Sequence, residues 1–98
     1  MFKKIGNLIE SDAGFSVETL GRAGLKYTEG QKSVFIDSEI LVPIDGYSMA
    51  VMKQSIRLWV GQNLITQEID KGNRDRIMEN IRAAFRSQGE EIDVIGDF

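Results

Sequence analysis

The 98-residue chain contains no cysteine and no histidine. Without cysteine there are no disulfides, thiolate metal sites or thiol nucleophiles. Without histidine the usual general base near neutral pH is gone, along with the commonest metal ligand. Serine triads built on imidazole are therefore impossible. Carboxylates, Lys or Tyr can still carry catalysis, so these absences weaken an enzyme reading without closing it. No apolar run approaches the roughly 20 residues of a membrane-spanning helix. Met1-Phe2-Lys3-Lys4 carries a basic pair, but no apolar run of signal-peptide length follows it. A cytoplasmic location is expected.

What remains is ordinary for a globular protein, with 42% hydrophobic and 28% charged residues. One domain over residues 1–98 is expected, since a chain of this size buries roughly 60–70% of its unfolded surface. The formal charge of −3 and a pI near 4.9 argue against broad nucleic-acid binding through the net field. They suit a mildly acidic binding protein with a basic partner.

The clearest local signal lies between Asp70 and Phe98. At about 100° per residue, Ile77, Met78, Ile81, Ala84 and Phe85 fall in one sector, with Gln88 at its far end. Asp75, Glu79, Arg82 and Arg86 fall opposite. This predicts one amphipathic helix, with Asp70 as N-cap and Gly89 as the left-handed residue that ends it. Ile92-Asp93-Val94 then alternates as a short strand.

Earlier segments are less distinct. Phe2, Ile5, Leu8 and Ile9 allow a short helix. Ser11 to Gly14 is a turn, and Phe15 to Leu20 reads equally as strand or helical turn. Leu25–Thr28 and Ser33–Asp37 flank Glu29-Gly30-Gln31-Lys32 and predict a hairpin. Pro43, the single proline, stops the apolar run Ile40-Leu41-Val42, and Asp45-Gly46 follows as a turn. Ile56, Leu58 and Val60 alternate with Arg57 and Trp59, which assigns the two sets to opposite faces of a strand. Gly61-Gln62-Asn63 reads as a loop. The expected fold class is α+β. It consists of an antiparallel sheet of four to six strands, one long C-terminal helix packed on one face and a short C-terminal strand.

No motif announces chemistry. Asp37 and Glu39, two apart on a strand, project to the same side and suit acid–base work or a cation. A solvated strand end explains them more economically, because no third ligand follows at metal-loop spacing. Arg57 and Trp59 are residue types enriched at binding hot spots. The competing reading has Trp59 capping the core and Arg57 lying along the surface. Glu90, Glu91, Asp93 and Asp97 form an acidic run that either docks a cationic partner or solvates an edge. Lys3, Lys4, Lys26 and Lys32 lack the aromatic interleaving of single-strand binders. Gly21-Arg22-Ala23-Gly24 lacks phosphate-loop spacing and reads as a bend.

Three blocks resemble the immunity protein 74 family of bacterial polymorphic-toxin and contact-dependent growth inhibition systems. They are Val34-Phe35-Ile36-Asp37-Ser38-Glu39-Ile40-Leu41, Ser55-Ile56-Arg57-Leu58-Trp59, and Arg76 to Phe85 with Gln88-Gly89 and Ile92-Asp93-Val94. Together they span about two-thirds of the chain. The family's proline-rich turn after the tryptophan is absent, since Val60-Gly61-Gln62-Asn63 follows Trp59. The resemblance implies a non-catalytic cytoplasmic protein that binds and neutralises a cognate toxin domain. It assigns no contact residue by motif and implies no cofactor and no metal.

A nuclease toxin holds phosphates in a basic groove, which an acidic blocker fits. On residue type and expected exposure, the candidate toxin contacts are Asp37, Glu39, Asp45, Tyr47, Arg57 and Trp59. The expected partner is a basic protein toxin domain, with no nucleic acid and no membrane. The alternative is an accessory subunit that assembles through an exposed sheet edge.

Overall fold

Period-two segments broken by glycine-bearing turns fold here into an antiparallel meander. The computed structural model describes residues 1–21, 24–40, 47–61 and 65–96. In chain order the strands are β1 (Phe2–Ile5), β2 (Leu8–Ser11), β3 (Phe15–Thr19), β4 (Leu25–Glu29), β5 (Lys32–Ile36), β6 (Ser38–Ile40), β7 (Tyr47–Met52), β8 (Leu58–Val60) and β9 (Thr66–Glu68). Helix α1 (Lys71–Arg86) and strand β10 (Glu91–Ile95) complete the chain. The fold is α+β. Among the described residues, no helix is long and apolar enough to cross a membrane.

The large sheet has the order β1-β2-β3-β4-β5-β8-β9, and all its pairings are antiparallel. Seven strands stand where four to six were expected. The additional pair is β1–β2, from the segment whose spacing allowed a helix. Only two residues, Gly6 and Asn7, separate these strands, and Ile5 pairs with Leu8. The segment is too short to stabilise a helix by itself, whereas pairing β2 with β3 satisfies its backbone groups. Phe15–Thr19 resolves as strand for the same reason, with Val17 paired to Tyr27. The β4–β5 hairpin is tighter than the sequence suggested. Glu29 pairs with Lys32, which leaves Gly30 and Gln31 as a two-residue turn.

The strand path bends at Asp37 and passes into a second sheet of order β10-β7-β6. Asp37 O accepts from Met52 N at 2.9 Å, and Asp37 N donates to Ser55 Oγ at 2.8 Å. These bonds fasten the bend to the 3-10 turn at Lys53–Ser55 that follows β7. Strand β10 returns parallel to β7 after α1. That chain reversal uses the helix as its crossover, as parallel pairing requires.

The helix forms as its sequence dictates. Asp70 Oδ1 accepts from Asn73 N at 2.8 Å, a side-chain N-cap. At the other end Gly89 N donates to Arg86 O and Glu90 N donates to Phe85 O, both at 3.0 Å. With Gly89 at φ +75°, this is the paired-bond stop that a left-handed residue permits. Ile77, Met78, Ile81, Ala84 and Phe85 are all buried.

These helix residues pack against Ile9, Val17, Leu25, Tyr27, Val34, Ile36 and Trp59 from the large sheet, and Met49, Val51 and Ile92 from the small one. An aromatic file crosses this interior. Phe2 meets Phe15 edge-on at 5.9 Å, Phe15 stacks on Tyr27 at 5.6 Å, and Tyr27 lies 6.2 Å from Trp59. Gly24 holds a close approach. It sits at φ +101°, and any Cβ there would collide with the Ile36 carbonyl.

Candidate binding surfaces

The period of two holds in β8, and the structure decides between the two readings of Trp59 in favour of the one that caps the core. Trp59 is only 7% exposed and belongs to the core, whereas Leu58 on the other face is 43% exposed. Ile56 is buried, but it precedes the strand. Trp59 packs beside Tyr27 in the core cluster, where an indole buries more apolar area than an aliphatic side chain. Trp59 is therefore not a surface anchor. Arg57 is exposed. It lines a shallow depression of about 350 Å³ together with Phe35, Ser55, Leu58 and Val60.

Asp37 and Glu39 are both exposed, on either side of the step into β6. The Asp37 backbone N–H donates to Ser55, one of the lining residues, so the bend places the Asp37 main chain beside the depression that Arg57 lines. Glu39 pairs with Ala50, and Ala50 pairs with Asp93. Glu39 and the half-buried Asp93 therefore lie on one face of the small sheet, on either side of the buried Ala50, with Met49, Val51 and Ile92 on the other face. Tyr47 opens β7 with its backbone level with Glu91. Its side chain lies outside the described residues, as do Asp45, the Pro43 stop and the Asp45-Gly46 turn. Gln62 and Asn63 of the expected loop also lie outside them, as does Asp97 of the acidic run.

One polar cluster escaped sequence reasoning. Tyr27 Oη donates to Glu29 Oε2 at 2.6 Å and accepts from Asn80 Nδ2 at 2.9 Å. Arg76 Nη1 donates to the same Glu29 oxygen at 2.6 Å. Burial, reinforced by the bond to Glu29, raises the Tyr27 hydroxyl well above the ordinary tyrosine range. Burial also pushes the Glu29 carboxyl up, but hydrogen bonds from Arg76 and Tyr27, with the Arg76 charge, outweigh it and leave Glu29 below its usual value. A protonated phenol and an ion-paired carboxylate make a clamp between β4 and α1. No local pattern signals a bond across 53 positions.

The large sheet's second face carries Lys3, Ile5, Leu8, Glu10, Ser16, Glu18, Lys26, Thr28, Ser33, Phe35, Leu58, Val60, Thr66 and Glu68, all exposed or half-buried. Phe35 is 53% exposed at its centre. The hairpin reading found this strand, but not which of its faces stays open.

Comparison with family models, curated proteins and solved structures finds no match to this chain. Function therefore rests on the residues and their placement.

Proposed function

We propose that the chain is an immunity protein that neutralises a basic toxin domain by binding it, without turning over a substrate. The docking region is the bend between the sheets. The observation that carries this reading is the placement of Asp37, Glu39 and Asp93. The first two are exposed, and Glu39 shares a face with Asp93 through the Glu39–Ala50–Asp93 register. A patch of one sign on a chain of net charge −3 accelerates encounter with a cationic groove. Arg57, at the margin of the depression, supplies a residue type that anchors interfaces. A nuclease groove, basic because it holds phosphates, is the best-fitting target, and the meeting place is the cytoplasm. The family resemblance of the three sequence blocks points the same way.

Edge assembly is the competing mode. Edge strand β1 carries Lys3 and Lys4, and edge strands β6, β9 and β10 carry Glu39, Glu68, Glu91 and Asp93. Charges on edges discourage strand addition. That favours side-chain docking over backbone augmentation.

Co-expression with the product of the neighbouring toxin reading frame, followed by purification through a tag on the toxin, tests the reading. A stable complex that loosens as salt rises is expected. Failure of the two proteins to co-purify would refute it.

A further inference from the structure

The depression beside the bend has a chemistry that the acidic residues do not explain. Its walls are Phe35, Leu58 and Val60, with Ser55 and Arg57 as the polar lining. Phe35 is on β5 and Leu58 on β8, and the Ser33–Val60 bridge sets the two strands so that these side chains fall opposite each other. Both stay open to solvent. Ser55 Oγ is already engaged, accepting from Asp37 N at 2.8 Å and donating to Met52 O at 2.6 Å. Among the described residues the Arg57 guanidinium has neither a hydrogen bond nor an ion pair. It is therefore the one polar lining group with its donors still to be satisfied.

The charge lining the depression is positive. Lys26 pairs with Phe35 from β4, and its ammonium lies 5.9 Å from the ring centre, on the same side. Glu18 pairs with Lys26 one strand further out, and Glu68 pairs with Leu58 from β9. Neither acid lines the depression or forms an ion pair with Arg57. A guanidinium offers five donors and no acceptor, and a carboxylate matches its fork with two parallel bonds. Apolar walls that exclude water strengthen such a pair. At about 350 Å³ the depression lies at the lower end of small-molecule sites, and it is shallow, whereas such sites enclose most of their ligand. A side chain projecting from a protein suits it better. The Asp37 main chain borders it, so a partner seated on the bend extends directly over it.

We propose that the depression seats an apolar side chain of the toxin domain that has a carboxylate beside it. The apolar group lies against Phe35, Leu58 and Val60, and the carboxylate pairs with Arg57. This inference rests on the toxin-binding reading and divides that interface into two parts. The acidic residues of the bend steer a basic groove and govern how fast the two proteins meet. The Arg57 seat governs how long they stay together, as a desolvated arginine ringed by apolar contacts does.

Association and dissociation rates of the full chain against the toxin domain of the neighbouring reading frame test it. Arg57→Glu makes the chain two charges more negative than its net −3. Steering toward a basic partner then stays as fast or becomes faster, while a carboxylate in the seat faces another carboxylate. Unchanged or faster association is expected, with dissociation at least tenfold faster. Phe35→Ala is expected to speed dissociation severalfold at an unchanged association rate. Circular dichroism confirms that each variant is folded. Arg57→Glu is then measured against toxin variants that each carry one exposed Asp or Glu replaced by Lys, and one of them is expected to restore slow release. A folded Arg57→Glu protein that dissociates like wild type would overturn the proposal, whether or not Phe35→Ala dissociates faster. So would a toxin series without a rescuing partner. Each of these results leaves the toxin reading standing, because the wild-type complex still forms. Absence of a wild-type complex removes that reading, and this inference with it.

Discussion

Arg76 and Glu29 meet at 2.6 Å across 47 positions of sequence, tying the first half of α1 to the end of β4. The same carboxylate oxygen accepts the Tyr27 hydroxyl, so helix, strand and aromatic file share one junction. Tyr27→Phe removes only the hydroxyl and leaves Asn80 and Glu29 each without that bond. A loss of about 1–2 kcal/mol is expected, read by chemical denaturation. An unchanged midpoint would show that water replaces these bonds at no cost.

The junction also sets a pH dependence. Glu29 titrates below its usual value of 4.5 in the folded protein. Its contribution to stability is present above that value and is lost as pH falls through the lower folded value. The stability difference between wild type and Glu29→Gln should therefore shrink as pH falls below 4.5. A difference that grows on acidification would reverse the sign of the assignment. Tyr27 shifts the other way, so its contribution holds below pH 10 and declines above it. Difference absorbance between wild type and Tyr27→Phe should show no Tyr27 ionisation near pH 10 while the protein stays folded.

Ile81 is fully buried in the centre of the helix stripe. Ile81→Ala is expected to cost about 2–5 kcal/mol. Arg82 makes only a partly exposed pair with Glu79 at 3.3 Å, so Arg82→Ala should stay within about 0.5 kcal/mol. Equal melting temperatures for these two variants would contradict the helix placement.

Two glycines separate backbone conformation from crowding. Gly30, at φ +61°, has open space around its Cα, whereas Gly24 faces the Ile36 carbonyl. Gly30→Ala should cost about 1 kcal/mol from conformation alone. Gly24→Ala should cost clearly more, because the Ile36 backbone must also move. Comparable losses would remove the close approach from the account.

Helix α1 was legible because its signals are local: a cap at Asp70, a stop at Gly89 and a stripe between them. The β4–β5 hairpin was legible for the same reason, although its turn proved shorter. Strands β1 and β2 were hidden because their four-residue runs satisfy either period. Which face of β8 is buried depends on Tyr27 and the helix, far from it in sequence, so alternation alone separated Trp59 from Leu58 and left both the core-capping and the anchor reading of Trp59 open. Asp37 and Glu39 were found as residues. Their relation to Asp93 depends on β10 returning beside β7, which no spacing announces.

Trp59→Ala therefore becomes a stability experiment. Removing an indole packed beside Tyr27 should cost about 3–5 kcal/mol. Any weakening of toxin binding in that variant should follow the fraction unfolded. Weaker binding by a fully folded Trp59→Ala protein would return the residue to the interface.

The most direct test of toxin neutralisation at the bend is association kinetics with the cognate toxin domain. Wild type should be compared with a folded Asp37→Lys, Glu39→Lys, Asp93→Lys variant as salt is raised. Wild-type association is expected to slow as the Debye length falls from about 10 Å at 0.1 M to about 3 Å at 1 M. The variant is expected to associate at least tenfold more slowly at low salt and to lose most of the salt dependence. A variant that binds and protects as fast as wild type, at every salt concentration, would contradict the account.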